Sequence, residues 1–210
     1  MLTEKTVKDF TQALADKVPV PGGGGAAAMA GALAAALGSM AANYTIGKKN
    51  YAMYENDVKD ILKTTEETRL KLLDLIEADA KAFEPLSRAY AIPRDDPGRE
   101  EALQSATLNA AYAPLDIMDA CADVIDALDE LLEKCNHLMI SDVACGAILA
   151  GAALKAASFN VFVNTTALTD RKKAEELELT AERLLDDYLP LADVIAETVL
   201  ADIRNEEEED

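Results

Sequence analysis

Apolar residues recur along most of this chain at the spacing of a helix face, and no segment alternates in the way that a half-buried strand does. In the first periodic segment, Val7, Phe10 and Leu14 form an apolar stripe, and Thr3 and Thr6 can cap its start. The amphipathic segments cover about residues 3–16, 51–90, 98–134 and 169–204. This pattern predicts long helices joined by short loops.

Two other segments, about 26–46 and 143–163, are apolar nearly all round. They owe this to Ala and Gly rather than to large side chains, and the second contains Lys155, so they fit a protein core better than a lipid bilayer. Small residues at four-residue spacing, such as Ala27 and Gly31, allow two helices to approach closely. We therefore expect an all-α, up-and-down bundle of long, partly kinked helices around two Ala/Gly-rich central helices that are buried on all sides.

Prolines and chain length set the expected limits of the helices and of the domain. Pro85 and Pro190 are expected to kink their helices, and an interruption is expected before Pro114. The 210 residues suffice for a single helical domain, expected over residues 1–205, and the acidic residues 206–210 are expected to form a disordered tail. Helices of about forty residues exceed a typical domain diameter, so a homodimer is expected to bury their surplus apolar surface.

Charge and composition narrow the function classes. The net charge of −19 at pH 7 argues against duplex nucleic acid or an anionic membrane as a partner, because both bind to basic surfaces. The three cysteines form no C-x-x-C pair and His137 is the single histidine, so the sequence has no zinc-ligand spacing and predicts no metal site. Reduced cysteines and a charged N-terminal segment favour a cytoplasmic protein without a secretory signal.

The most informative junction is a glycine turn directly before the first alanine-rich segment. The turn consists of Pro21, Gly22, Gly23, Gly24 and Gly25. Four consecutive glycines fit poorly inside a helix, but they let bare backbone N–H groups approach a ligand at a helix start, where the helix dipole favours anions. A ligand carboxylate or phosphate is one candidate occupant, and a plain flexible loop is the alternative.

Several polar residues lie in otherwise apolar or regular helical surroundings. Asp79 is either a functional carboxylate or a surface group paired with a nearby base. Asp142 follows Ser141 at a predicted helix start, so either residue can be an N-cap, and a functional role for Asp142 is an open alternative. Asn160 and Asn164 lie one turn apart on the same helix face. Buried asparagines need hydrogen-bond partners, and a ligand is one kind of partner.

Together these motifs resemble the formiminotransferase-cyclodeaminase C-terminal family, which includes free-standing bacterial methenyltetrahydrofolate cyclohydrolases. The matching features are the glycine turn before an alanine-rich helix, the segment 79–83, and Asn136, Ser141, Asp142, Asn160 and Asn164. These features occur in the same order and at the same spacing as in that family, and the resemblance extends from residue 6 to about residue 199. The resemblance implies an all-helical homodimer that binds reduced folate and acts on the one-carbon unit between its N5 and N10 atoms.

The chemistry that the resemblance implies makes definite demands on the site. The bridging carbon of methenyltetrahydrofolate is electrophilic, so hydrolysis needs a water aimed at that carbon, a base for the proton and a donor to the departing nitrogen. Asp142 is the first candidate for base or cation stabiliser and Asp79 the second, although the resemblance does not divide these roles between them. The side chains expected to orient the pterin or the water are Asn136, Ser141, Asn160 and Asn164.

The glutamate tail of a folate is anionic and needs a local positive patch in an acidic protein. Lys48 and Lys49 are the main candidates, expected beside the N–H groups of the glycine turn, with Arg88 and Arg94 as further candidates. The alternative for these lysines is that they only contribute solubility. The expected ligand is therefore a small-molecule folate, including polyglutamylated forms, with no cofactor beyond this tetrahydrofolate substrate.

Two activities and one non-catalytic function remain open. Hydrolysis of 5,10-methenyltetrahydrofolate to 10-formyltetrahydrofolate is preferred, because the chain has no second domain to load a formimino group onto N5. The alternative enzyme is a formiminotetrahydrofolate cyclodeaminase, which closes the ring to methenyltetrahydrofolate and releases ammonia. The alternative of a different class is a non-catalytic dimeric helical scaffold whose glycine turn is a hinge.

Overall fold

A computed structural model describes the backbone of residues 1–206 and the side chains of residues 1–204. Within that range the fold contains six α-helices and no β-strand, so the prediction of an all-α protein is confirmed. The helices are α1 (Val7–Ala15), α2 (Gly23–Thr45), α3 (Glu55–Tyr90), α4 (Arg99–Lys134), α5 (Ile140–Thr166) and α6 (Arg171–Glu206). Three short 3-10 helices span Leu2–Glu4, Lys49–Tyr54 and His137–Met139. Residues 207–210 of the predicted acidic tail lie outside the described residues.

The four helices from α2 to α5 form the bundle, and α6 packs along its side. Each of these four packs against its sequence neighbour, α2 also packs against α5, and α6 covers parts of α4 and α5. The start of α2 lies beside the end of α5, because Gly23 faces Asn160. The end of α2 lies beside the start of α5, because the Asn136 backbone N–H donates to the Thr45 hydroxyl. The two central helices are therefore antiparallel, as an up-and-down bundle requires.

The first helix is shorter and less buried than the hydrophobic pattern predicts. It starts at Val7 because the Thr6 side chain accepts a hydrogen bond from the Asp9 backbone N–H, which is a typical N-cap. Of the predicted stripe, Phe10 is buried, but Val7 and Leu14 are exposed. The three residues share one helix face as expected, but only the Phe10 side chain is buried against the bundle.

All three helix prolines lie inside continuous helices. Pro85 lies in α3, Pro114 in α4 and Pro190 in α6. A proline removes one backbone hydrogen bond, but Pro114 is buried in the bundle and the helix continues on both sides of it. The predicted interruption before Pro114 was wrong, since packing of the flanking residues keeps α4 helical.

The central helices approach their neighbours closely at glycines. A methyl group at Gly31 would lie 2.9 Å from the Cys121 sulfur, and one at Gly146 would lie 3.1 Å from a Leu128 methyl. Both helices are long and apolar enough to cross a membrane, but 61% and 44% of their most apolar windows are buried inside the bundle. Burial on all sides was nevertheless too strong an expectation, because α5 leaves Phe159 and Val163 exposed to solvent.

Candidate functional site

The glycine turn forms the N-terminus of α2 instead of a loop in front of it. Gly22 is the N-cap, and Gly23, Gly24 and Gly25 make the first helical turn. The first-turn N–H groups have no partner inside the helix and point out of its end. Gly24 has a specific reason to be glycine, because any Cβ at this position would overlap the Asp79 carboxylate. The absence of a side chain thus lets a carboxylate from α3 touch the start of α2.

Asp79 is the titratable group at this helix end. Burial raises the pKa of its carboxyl above the usual range, and a hydrogen bond from the Gly25 backbone N–H opposes part of that rise. The neighbouring N-terminus of α2 also stabilises the ionised form. Asp79 is therefore a half-buried acid with a raised pKa that lies against a helix N-terminus, which is an arrangement common at functional sites.

Asn160 and Asn164 reach the same point from the end of α5. The Asn164 amide donates to the carbonyl oxygen of Ala110 at 3.1 Å and to that of Asn160 at 2.8 Å. The Asn160 side chain lies against Gly23, 3.4 Å from the position of an added methyl group. These contacts tie α5 to α4 and hold both amides beside the glycine N–H groups.

A cleft of about 230 Å³ lies between these groups, and we call it the glycine-end cleft. Its polar lining is Gly22, Gly23, Gly24, Asp79, Asn160 and Asn164, and its apolar lining is Pro19, Val20, Phe83, Ala110 and Val163. Pro21 and Gly25, which the sequence also indicated, are buried behind this surface. The volume is below the usual range for a whole drug-sized ligand, so the cleft has room for part of a larger ligand, such as one flat heterocycle.

The apolar lining was not predicted as part of the site. Phe83 follows Asp79 by four residues and Val163 follows Asn160 by three, so both share a helix face with a predicted site residue. Their spacing from a predicted site residue is therefore the sequence feature that could have indicated Phe83 and Val163 as lining residues. Pro19, Val20 and Ala110 come from a loop and from a third helix, and local spacing carries no information about their position.

The other predicted site residues lie at the opposite end of the bundle. Asp142 precedes Asn160 by 18 residues of α5, which places them about 27 Å apart along the helix. Lys48 and Lys49 follow the end of α2 and are exposed. Within one chain, the lysines therefore do not lie beside the glycine turn, and that expectation was wrong. An up-and-down order places the starts of α2 and α5 at opposite ends.

Asn136 closes the loop at this second end. Its side-chain oxygen accepts from the Leu138 backbone N–H, and its amide donates to the Tyr44 carbonyl oxygen at 3.3 Å. Its backbone N–H donates to the Thr45 hydroxyl at 2.7 Å. Asn136 therefore caps one 3-10 helix and fastens it to the end of α2.

Neither Ser141 nor Asp142 is an N-cap, so that alternative was wrong for both. Helix α5 begins at Ile140, one residue earlier than Ser141, and the preceding Met139 makes no side-chain cap. Ser141 is exposed and Asp142 is half-buried within the first turn of α5. In the part of the chain that the structure describes, no group hydrogen-bonds to the Asp142 carboxylate.

Comparisons with known proteins agree with this architecture. Residues 6–183 match a family model described as formiminotransferase-cyclodeaminase. The methenyltetrahydrofolate cyclohydrolase of Methylorubrum extorquens is 39% identical over 203 residues, which are 95% of this chain and 98% of that protein. The formimidoyltransferase-cyclodeaminase of Gallus gallus is 28% identical over 190 residues, which are 89% of this chain and 35% of that protein. This chain thus spans about a third of the length of the animal relative.

A solved structure has the same fold. The crystal structure of formiminotetrahydrofolate cyclodeaminase from Thermotoga maritima superimposes with a TM-score of 0.83 at 31% sequence identity. The match covers 95% of this chain and 100% of that one. The whole bundle, rather than one helix pair, is therefore shared with that protein.

Proposed function

Because this chain belongs to the formiminotransferase-cyclodeaminase family, we propose that it hydrolyses 5,10-methenyltetrahydrofolate to 10-formyltetrahydrofolate. The bacterial cyclohydrolase that it resembles has nearly the same length, whereas the animal relatives carry much additional sequence. The observation that carries the proposal is the half-buried Asp79 carboxyl, held against glycine N–H groups and facing two asparagines across a closed-in cleft.

In this mechanism Asp79 is the base and the stabiliser of the cationic substrate. A carboxylate next to the amidinium-like bridge stabilises its positive charge. One water adds to the bridging carbon and its proton passes to Asp79, forming a tetrahedral carbinolamine. The bond from that carbon to N5 then breaks, N5 takes up the proton from Asp79, and the carbinol hydroxyl passes its own proton to Asp79 as it becomes the formyl carbonyl. The formyl group remains on N10 and Asp79 releases that proton to solvent, so the cationic bridge and one water give the formyl group and one proton. Asp142 was the first candidate for the base from the sequence alone, but the position of Asp79 in the cleft and its raised pKa favour Asp79.

Asn160 and Asn164 would orient the pterin and the water. Their side-chain amides carry both donors and acceptors, which suits a pterin edge that has alternating donors and acceptors. The apolar walls formed by Phe83 and Val163 exclude bulk water from the ring. The free N–H groups of the glycine turn then face the acceptor atoms of the ring or of the tetrahedral intermediate.

Cyclodeaminase activity is the second candidate, and the structural neighbour from Thermotoga maritima favours it. In that reaction N10 attacks a formimino carbon on N5 and ammonia leaves. Asp79 would then protonate the departing nitrogen instead of activating water. Both reactions use the same cationic bridge, as substrate in one and as product in the other.

A side-by-side assay decides between the two activities. Purified protein is given methenyltetrahydrofolate and formiminotetrahydrofolate in parallel, and the ultraviolet absorbance of the methenyl compound is followed. Our proposal predicts that the protein removes the absorbance of methenyltetrahydrofolate faster than buffer alone does. It also predicts that little methenyl absorbance appears when formiminotetrahydrofolate is the substrate. Rapid gain from the formimino compound with ammonia release would establish the cyclodeaminase instead. No turnover of either compound would favour the non-catalytic scaffold.

We further propose that the protein is a homodimer that pairs through α2 and α5. The outer faces of these helices expose large apolar side chains, with Leu33 54%, Ile148 58%, Phe159 67% and Val163 66% exposed. An apolar patch of this kind marks an interaction surface, and a self-complementary one pairs two copies. Light scattering should give the mass of a dimer, and Phe159→Glu should shift it to the mass of the monomer.

Pairing of this kind also gives Asp142 a role in the site. A two-fold axis perpendicular to α2 and α5 reverses the direction of both helices in the second copy, so each end of the bundle lies over the opposite end of the other copy. Asp142 of the partner subunit would then face the glycine-end cleft. Mixing inactive Asp79→Asn and Asp142→Asn proteins should restore about a quarter of the activity, because half of the dimers are mixed and each has one intact site. Full activity of Asp142→Asn alone would exclude this role.

The remaining expectations concern location and partners. The substrate is a small-molecule folate, and we expect the enzyme to be cytoplasmic. Fractionation of cells that express the protein should recover it without detergent. Recovery only with detergent would instead indicate that the two alanine-rich helices enter a membrane.

A further inference from the structure

A second cavity adjoins the glycine-end cleft, and we call it the outer cavity. It has a volume of about 380 Å³ and is lined by Pro19 and Val20 and by α3 residues between Ala80 and Arg88. Pro19, Val20 and Phe83 line both spaces. A ligand that fills the cleft can therefore extend past Phe83 into the outer cavity without leaving the protein surface.

The outer cavity carries two cations in a strongly acidic chain. Lys81 and Arg88 both line it. They are seven residues apart on α3, which puts them on one helix face two turns apart. Arg88 also borders a wider groove of about 670 Å³ between α3 and α4, so its guanidinium group has room to turn. With a net charge of −19, a pair of cations beside the cleft is a distinct local feature.

The only carboxylate that lines the outer cavity, among the residues that the structure describes, is that of Glu84. Glu84 forms an ion pair with Arg88 in which both side chains are mostly exposed, at 62% and 72%. Exposed pairs of this kind contribute little to stability. An anionic ligand can therefore replace Glu84 as the partner of Arg88 with little loss to the fold.

The distance along α3 matches a folate. Arg88 lies nine residues beyond Asp79, which is about 14 Å along the helix and about half a turn around it. An extended p-aminobenzoyl-glutamate bridges a gap of this order when its one-carbon unit lies at Asp79. The aromatic ring of that tail would then pass Phe83, at the boundary between the two cavities.

We propose that the outer cavity binds the p-aminobenzoyl-glutamate tail of the substrate, with Arg88 and Lys81 binding its carboxylates. This inference rests on the proposed folate activity and assigns the tail to Arg88 and Lys81 instead of Lys48 and Lys49. Arg88 can bind a carboxylate through two parallel hydrogen bonds, whereas Lys81 acts as a point charge. Arg88 therefore determines affinity for the tail, and chemistry at the bridge does not depend on it.

Substrates with and without the glutamate test this assignment. The three substrates are methenyltetrahydropteroate, which lacks glutamate, and the mono- and triglutamate forms of methenyltetrahydrofolate. Arg88→Gln should raise KM for the glutamate-bearing substrates about tenfold, because it removes charge-assisted hydrogen bonds. Its kcat should stay within about twofold, and its KM for the pteroate should not change.

Two variants sharpen the test. Lys63→Gln is the matched control, because Lys63 forms an exposed pair with Glu67 one turn away on the same helix. It makes the same change in net charge and should leave every KM unchanged. Glu84→Gln removes the competing carboxylate and should lower KM for the glutamate-bearing substrates about two- to threefold, in the direction opposite to Arg88→Gln.

The outcomes separate a failure of this inference from a failure of the proposed function. Equal effects of Arg88→Gln on all three substrates, or no effect on any, would overturn the tail assignment while the activity stands. If wild-type protein turns over none of them, the proposed function fails. Calorimetric titration with 5-formyltetrahydrofolate and with 5-formyltetrahydropteroate then still measures how much the glutamate contributes to binding affinity. Equal affinity for these two ligands, or no binding of either, overturns the assignment.

Discussion

The two ends of the bundle contain similar polar residues that are used in different ways. At the glycine end, Asp79, Asn160 and Asn164 line a cleft whose remaining walls are apolar. At the other end, Asn136 makes three hydrogen bonds that close a loop, and Lys48 is exposed to solvent. The difference shows that residue type alone does not mark a site. What matters is whether a polar group faces a space that other groups have kept open.

The reason for the difference lies in the helix ends that meet at each place. At the glycine end, the start of α2 has no side chains in its first turn, so α3 and α5 approach bare backbone and leave a cleft. At the other end, the last turn of α2 meets a short 3-10 helix that needs capping. Asn136 satisfies backbone groups of Tyr44 and Leu138 there, which is a structural role.

The largest effect is expected from Asp79→Asn. The amide keeps the shape but cannot act as a base, so kcat should fall by about 10²- to 10⁴-fold, the usual contribution of general acid–base catalysis. The rate at which methenyltetrahydrofolate loses its absorbance measures kcat. Asp74→Asn, at an exposed position on the same helix, is the control and should be within about twofold of wild type. An active Asp79→Asn enzyme would place the chemistry elsewhere.

The second prediction concerns the close contact at the start of α2. Gly24→Ala puts a methyl group where the Asp79 carboxylate lies, so it should displace that group and reduce kcat/KM by about 10- to 100-fold. Gly25→Ala is the matched control in the same helical turn, because Gly25 is buried behind the cleft surface and an added methyl there makes only ordinary contacts, 3.5 Å from Pro21 and 3.7 Å from Ile76. If both variants lose activity equally, the effect comes from helix flexibility and not from the Asp79 contact.

At the opposite end, Asn136→Ala should affect stability rather than chemistry. Loss of its side-chain hydrogen bonds should reduce the free energy of unfolding by about 1 kcal/mol. A change of that size lowers Tm by roughly 2–4 °C in a domain of this length. Thermal unfolding measures the shift, and kcat should remain near wild type. A large fall in kcat without a change in Tm would show that Asn136 contacts the substrate.

The smallest effect is a gain in stability from removing the Asp79 charge. Because burial raises the pKa of Asp79, the folded protein binds more protons than the unfolded chain between pH 3.8 and that raised pKa. The contribution of Asp79 to the free energy of unfolding therefore falls as the pH rises through that window. At pH 7, Asp79→Asn should raise Tm by about 1–3 °C, and the gain should disappear toward pH 3. A gain that does not depend on pH would point to another cause.

The helices were predictable from the sequence because helix periodicity is a local property. The same holds for pairs within one element, such as Asn160 with Asn164. The separation of Asp142 from the glycine turn also follows from the predicted topology, since the first and fourth helices of an up-and-down bundle start at opposite ends. Grouping residues by chemistry alone overlooked this.

The parts that could not be predicted depend on contacts between distant segments. The glycine at position 24 leaves the space that the Asp79 carboxylate of α3 occupies, and nothing local to the glycine run reveals this contact. Likewise, the cleft depends on Ala110 of α4 and on the Pro19–Val20 loop, which meet only in the folded bundle. Continuity of α4 through Pro114 is a similar case, because buried packing overrides a local helix breaker.

The most direct test of the central claim is a crystal structure with 5-formyltetrahydrofolate bound. Our account predicts the pterin in the glycine-end cleft, with an Asp79 oxygen within about 2.6–3.2 Å of a ring nitrogen or of a bound water. The glutamate should extend along α3 toward Arg88. A folate bound between Lys48 and Asp142 of one chain, with no contact to Asp79 of either subunit, would contradict it.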